Sequence, residues 1–109
     1  MIDLAQKRCI PCEKGTLPLQ KKEAEALVKQ IKDWRLSEDA RRISKEFAFK
    51  NFVEAMEFAN KITAVAEGEG HHPNLLVGWG RVGIELSTHS IDGLSENDFI
   101  LAAKIDKIA

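Results

Sequence analysis

His71, His72 and His89 are the only histidines in this 109-residue chain, and their crowding into one short stretch is its most informative feature. Imidazole, with an ordinary pKa of about 6.5, gives and takes protons near neutral pH. A cluster of imidazoles suits general acid–base catalysis, in which one ring protonates a leaving group, another accepts a proton, and a carboxylate fixes the tautomer. Glu67 and Glu69 lie just before the first pair, and Asp98 follows the last histidine. A three-histidine metal site is a competing use. Consecutive strand residues point to opposite faces, so His71 and His72 make a poor ligand pair for one ion, and no metal is expected. The third reading is a polar rim on a protein-interaction module with no catalysis.

The elements that must position these residues follow from local signals. Pro73 pushes His72 into extended geometry, so the helical run before it has to stop, and His71-His72-Pro73 opens a strand. Leu75 to Val77 and Val82 to Thr88 are rich in branched and apolar residues, with the glycine-flanked Gly78-Trp79-Gly80-Arg81 between them. That pattern predicts a β-hairpin. Folded about a centre near residue 80, it sets residues 71 and 72 opposite residues 88 and 89, which brings the three histidines to the open end within roughly 5–8 Å of one another. Val82, Ile84, Leu86 and Thr88 take the buried face, and Gly83, Glu85, Ser87 and His89 take the polar one. Trp79, at the tip, suits packing better than stacking against a ligand.

The rest of the chain supplies a scaffold. Gln20 to Lys32 carries Ala24, Leu27, Val28 and Ile31 at helical spacing and ends at Asp33. Trp34 to Leu36 begins a short strand. Arg41 to Phe49 alternates, with Ile43, Phe47 and Phe49 on one parity and Lys45 as the misfit. Asn51 to Glu67 is helical and apolar along two lines, one with Phe52, Met56, Ala59 and Ala66, the other with Ala55, Phe58, Ile62 and Val65. A helix apolar on two sides packs against two things, here the sheet and another subunit, unless the first helix covers it. Ser95-Glu-Asn-Asp98 has the form of a capping box, for which Asp98 is by default a cap, and Leu101, Ile105 and Ile108 mark a closing helix. The fold class is α+β in the order αββαββα, a four-stranded antiparallel sheet with helices on one face.

Composition narrows the function classes. Sixteen basic residues against 17 acidic ones give no field that would draw the chain to nucleic acid. No apolar run is long enough for a membrane span, and the first residues lack the apolar core of a signal peptide, which fits a cytoplasmic protein. Residues 1–18 hold two prolines and no sustained period, so they read as an irregular arm before a single domain over 19–109. The arm contains Cys9-Ile-Pro-Cys12. One C-x-x-C is half a zinc ribbon, and the Glu-Lys-Gly-Thr-Leu-Pro that follows it is not the helix start of a redox motif, so the cysteines read as bystanders.

Glu67-x-x-x-His71-His72-Pro73, five residues and then Trp79, His89 ten positions on, and Asp98 together resemble the motif of the pterin-4a-carbinolamine dehydratases. Leu86-Ser87-Thr88-His89 and Gly93-Leu94-Ser95-Glu96-x-Asp98 strengthen the resemblance, which covers roughly residues 20–109. It implies that family's αββαββα fold and dehydration of 4a-hydroxytetrahydropterin to quinonoid dihydropterin, without a metal or dissociable cofactor. It also implies proton transfer by His71, His72 and His89, orientation by Glu67, support from Asp98, and substrate contacts at Ser87, Thr88 and Trp79. The partners implied are a small pterin and further copies of the chain. A transcription-factor dimerisation cofactor, as in animal members, and a role in molybdopterin-related metabolism are the alternatives the resemblance leaves open.

Overall fold

The structure, a computed structural model, describes residues 3–10 and 16–109. After a 3-10 turn at Leu4–Gln6, the elements are α1 (Lys21–Val28), β1 (Arg35–Leu36), β2 (Ile43–Ala48), α2 (Phe52–Glu69), β3 (Asn74–Gly78), β4 (Arg81–Leu86), a second 3-10 turn at His89–Ile91, and α3 (Glu96–Ile108). The four strands form one antiparallel sheet in the order β1-β2-β4-β3. This is the α+β arrangement expected from the alternation of periods.

One sheet face is buried and the other open. Ile43, Val82, Ile84 and Leu86 are buried under Ala55, Phe58 and Ile62 of α2 and Phe99, Leu101 and Ile105 of α3, a single apolar core. The parity read for β4 holds through Thr88, which is also buried. Lys45, the misfit in β2, sits on the buried parity because its ammonium finds partners there. It donates to Asp106 Oδ1 and to the Lys32 carbonyl, both at 2.8 Å, and lies 4.5 Å from the Phe47 ring centroid. A charge at the core edge is tolerated when it is paired in this way.

Three boundaries differ from expectation. The first helix stops at Val28, and the chain turns through residues 29–33, with Asp33 at φ 62°. The side chain of Ile31 is buried from that turn without needing a helix, so its spacing was not evidence of helix length. His71 to Pro73 lies outside the ladder, which starts at Asn74, because the facing residues beyond Leu86 have already left the strand. The arm is not irregular throughout. Its 3-10 turn packs on α3 with Leu4 in the core.

The hairpin turn is Trp79-Gly80, flanked by the Gly78–Arg81 pair. Gly80 has φ 73°, and a Cβ there would stand 3.1 Å from the Phe49 carbonyl oxygen. Phe52, Val53 and Met56, on the first two turns of α2, remain exposed, so α1 does not cover them.

Candidate active site

The site is built from two chain reversals that meet at the open end of the hairpin. The first is the end of α2. Gly70 adopts the left-handed conformation, its amide donates to the Glu67 carbonyl, and the His71 amide donates to the Ala66 carbonyl. This six-to-one and five-to-two pair of bonds closes the helix and fixes where the chain leaves it. His71 and His72 follow directly, and Glu67 sits in the last helical turn beneath them.

The second reversal follows β4. Asn74 pairs with Glu85, and the same register continued outward sets His71 against Thr88 and His72 against Ser87. There the chain turns back on itself: Thr88 and Gly93 form an isolated bridge, with the Thr88 amide donating to the Gly93 carbonyl at 2.8 Å. His89 begins the 3-10 turn inside this loop. Gly93 is packed against Pro18, whose Cβ would lie 2.6 Å from any Cβ added at 93, so the approach of chain to chain requires glycine.

Asp98 ties the two reversals together. Its side chain is fully buried, and both oxygens are used. Oδ2 accepts from the Ser95 amide at 3.0 Å and from Thr88 Oγ1 at 2.8 Å, while Oδ1 accepts from His71 Nε2 at 2.6 Å. Ser95 completes the capping box. Cap and site partner are therefore not alternatives for Asp98, because one oxygen serves each. Donation from Nε2 to a carboxylate fixes the neutral His71 tautomer, with its lone pair at Nδ1.

His72 is arranged like His71, nearer to solvent: its Nε2 meets Glu67 Oε2 at 2.5 Å, and both side chains are exposed. His89, also exposed, stands on the opposite wall, and its imidazole has no hydrogen-bond partner among the described residues. All three imidazoles line one cleft of about 400 Å³, with Cys9, Ile10, Glu69, Ser87, Thr88 and Asn97 among its other walls. That volume is in the range for a small organic ligand. Among the described residues, no three His, Cys, Asp or Glu side chains converge as a metal site.

The structure does not bring Trp79 to this cleft, which corrects its assignment as a substrate contact within one chain. It lies at the hairpin tip, 74% exposed, at the far end of the five-residue β3 and so about 17 Å away along the strand. Asn97 and the main chain of the arm are cleft residues that the sequence reading missed. Cys9, read as a bystander, also lines the cleft. Burial, and then the adjacent Glu69 carboxylate, push its thiol up to about 12. The Cys9 amide donates to Glu69 at 2.8 Å and is the main reason that carboxyl titrates below its usual range. Cys12 lies outside the described residues.

A larger groove, about 730 Å³, occupies the open sheet face between Ser44, Glu46, Leu76 and Glu85. It contains no histidine, and its Glu46 and Glu85 face Arg81 and Arg42 in exposed pairs at 3.7 and 4.0 Å. A solvated sheet face accounts for it.

The family model described as pterin 4 alpha carbinolamine dehydratase matches residues 17–108. A Rickettsia canadensis protein provisionally named a pterin-4-alpha-carbinolamine dehydratase is 51% identical over 107 residues, which cover 97% of each chain. A protein of the same provisional name from Halorhodospira halophila is 46% identical, covering 98% of each. Among solved structures, a transcriptional coactivator/pterin dehydratase from Brucella melitensis superposes with a TM-score of 0.79 at 30% identity, covering 84% of this chain and 98% of its own. A pterin dehydratase-like protein described as a RuBisCO assembly factor in the alpha-carboxysome superposes with a TM-score of 0.60 at 28% identity, over 70% of this chain and 88% of its own.

Proposed function

The chain belongs to the pterin 4 alpha carbinolamine dehydratase family, and we propose that it dehydrates 4a-hydroxytetrahydropterin to quinonoid dihydropterin by proton transfer among His71, His72 and His89. In this hydro-lyase reaction the bond from C4a to the hydroxyl oxygen breaks and the N5 proton is lost. A double bond forms between N5 and C4a, and water leaves. One imidazole delivers a proton to the departing oxygen while another takes the proton from N5. Each such group is worth about 10²–10⁴-fold in rate.

The observation that carries this reading is the convergence of three imidazoles on one cleft, two of them carboxylate-bound at Nε2. Asp98 and Glu67 then act as orienting groups, holding His71 and His72 with Nδ1 available for proton exchange. Ser87 and Thr88 present main-chain groups to the ring edge, since the Thr88 hydroxyl is bonded to Asp98 and Ser95. Recycling of an oxidised tetrahydropterin cofactor is the setting we favour, with molybdopterin-related metabolism as the other pterin setting. The test is stopped-flow decay of the carbinolamine, generated in situ, with purified protein at catalytic concentration. Acceleration over the spontaneous decay supports the reading, and an unchanged rate rejects it.

A second reading, a protein-binding role, is favoured by the exposed Phe52, Val53 and Met56 on α2. We place another copy of the chain on this surface. Light scattering showing only monomer at micromolar concentration would remove that claim.

A further inference from the structure

Residues 7–10 of the arm run beside the histidine cleft and are held there largely by their main chain. Asn97, on α3 next to Asp98 and 5% exposed, accepts from the Ile10 amide through Oδ1 at 3.0 Å and donates from Nδ2 to the Ile10 carbonyl at 2.5 Å. Both polar groups of one residue thus end on a single side-chain amide, the arrangement a neighbouring strand would otherwise provide. One residue earlier, the Cys9 amide donates to Glu69. Lys104 stands 3.8 Å from Glu69 and donates to the Ala5 carbonyl, and Lys7 pairs with Glu96 at 3.0 Å.

This fastening holds an aliphatic side chain out in the open. Ile10 is 71% exposed and forms part of the cleft wall. The other cleft side chains are mostly polar: Glu69, the three histidines, Ser87 and Thr88. A site for a flat heterocycle needs polar groups for the ring edge and apolar surface for its face, and among the described cleft residues Ile10 is the aliphatic chain positioned for the second. A loose arm would pay the ordering cost at each binding event, which a clamped one avoids.

We propose that Ile10 is a substrate-contact residue packing on the face of the bound pterin ring, and that Asn97 and Glu69 are positioning residues that hold it at the cleft. The inference rests on the pterin reading above and adds a wall that lies before residue 17, outside the stretch matched by the family model.

The experiment compares steady-state dehydration by the full-length chain with that of Ile10→Ala, Ile10→Val, Asn97→Ala and the arm control Leu17→Ala, whose exposed side chain lies outside the cleft. Ile10→Ala should raise KM about five- to thirtyfold, with kcat within about twofold and the melting temperature unchanged, since little of the side chain is buried in the free protein. Ile10→Val should restore most of the affinity, Asn97→Ala should raise KM in the same direction, and Leu17→Ala should leave it alone. Wild-type KM in Ile10→Ala, with an active wild-type enzyme, overturns this inference only. Should Asn97→Ala fail to fold, Ile10→Ala decides the matter. A wild-type protein that leaves the spontaneous rate unchanged overturns the pterin reading, and this inference with it.

Discussion

Asp98→Asn separates the two duties of the buried carboxylate. The Ser95 amide can only donate, so the side-chain oxygen of the substituted residue must stay at the Oδ2 position, which also accepts from Thr88 Oγ1. The amide nitrogen then faces His71 Nε2, where the carboxylate oxygen now accepts at 2.6 Å. Two donors cannot bond to each other, so His71 must move its proton to Nδ1 and lose the lone pair that the cleft uses. The cap survives while the tautomer inverts. Turnover should fall by about 10²–10⁴, the range for a mispresented general acid–base group. The side chain keeps its volume and most of its bonds, but charge-assisted bonds become neutral ones, a loss of about 1–3 kcal/mol. For a domain of this size that lowers the melting temperature by roughly 5–15 °C. Stopped-flow turnover, calorimetry and ¹⁵N shifts of the His71 ring measure the three effects separately. A folded Asp98→Asn protein with turnover within about threefold of wild type would reduce Asp98 to a helix cap and refute the reasoning.

His72→Ala and His89→Ala should each cut turnover at least about tenfold while leaving the melting temperature essentially unchanged, because both rings are exposed and support no packing. Gly70→Ala places a Cβ at φ 64°, should destabilise by about 1–2 kcal/mol in denaturant titration, and should lower turnover by shifting His71 and His72 together. Alkylation at pH 8, mapped by peptide mass spectrometry, should modify Cys9 at least about 100-fold more slowly in the folded chain than in the unfolded one, since the raised pKa leaves little thiolate. The same shift gives a sign for stability. The folded thiol titrates at about 12 against 9.0 for the unfolded group, so its contribution is complete below pH 9 and is lost as the pH rises from 9 to 12.

Local signals carried the hairpin and the meeting of the histidines. Glycines around Trp79, alternation in Val82 to Leu86 and the proline after His72 act over a few residues, and geometry then sets 71 and 72 near 88 and 89 whatever the rest of the fold does. Ser95 and Asp98 were legible as a cap for the same reason. The second oxygen of Asp98 was not, because its partner His71 lies 27 positions away and only packing of α3 beside the end of α2 brings them together. The clamp of Asn97 on Ile10 spans 87 positions and has no periodic signal at all, since it uses main-chain groups of an aperiodic segment. Misreading the first helix past Val28 has a different origin: Ile31 keeps helical spacing and is buried, yet it reaches the core from a turn.

The central claim is that the imidazoles around this one cleft transfer the protons of carbinolamine dehydration. Its most direct test is decay of 4a-hydroxytetrahydropterin in the presence of the wild-type chain and of the combined His71→Ala, His72→Ala, His89→Ala variant, at equal concentration and with folding verified by circular dichroism. Wild-type decay should run well above the spontaneous rate, and decay with the variant should be indistinguishable from it. Equal acceleration by both proteins, or by neither, would contradict the claim.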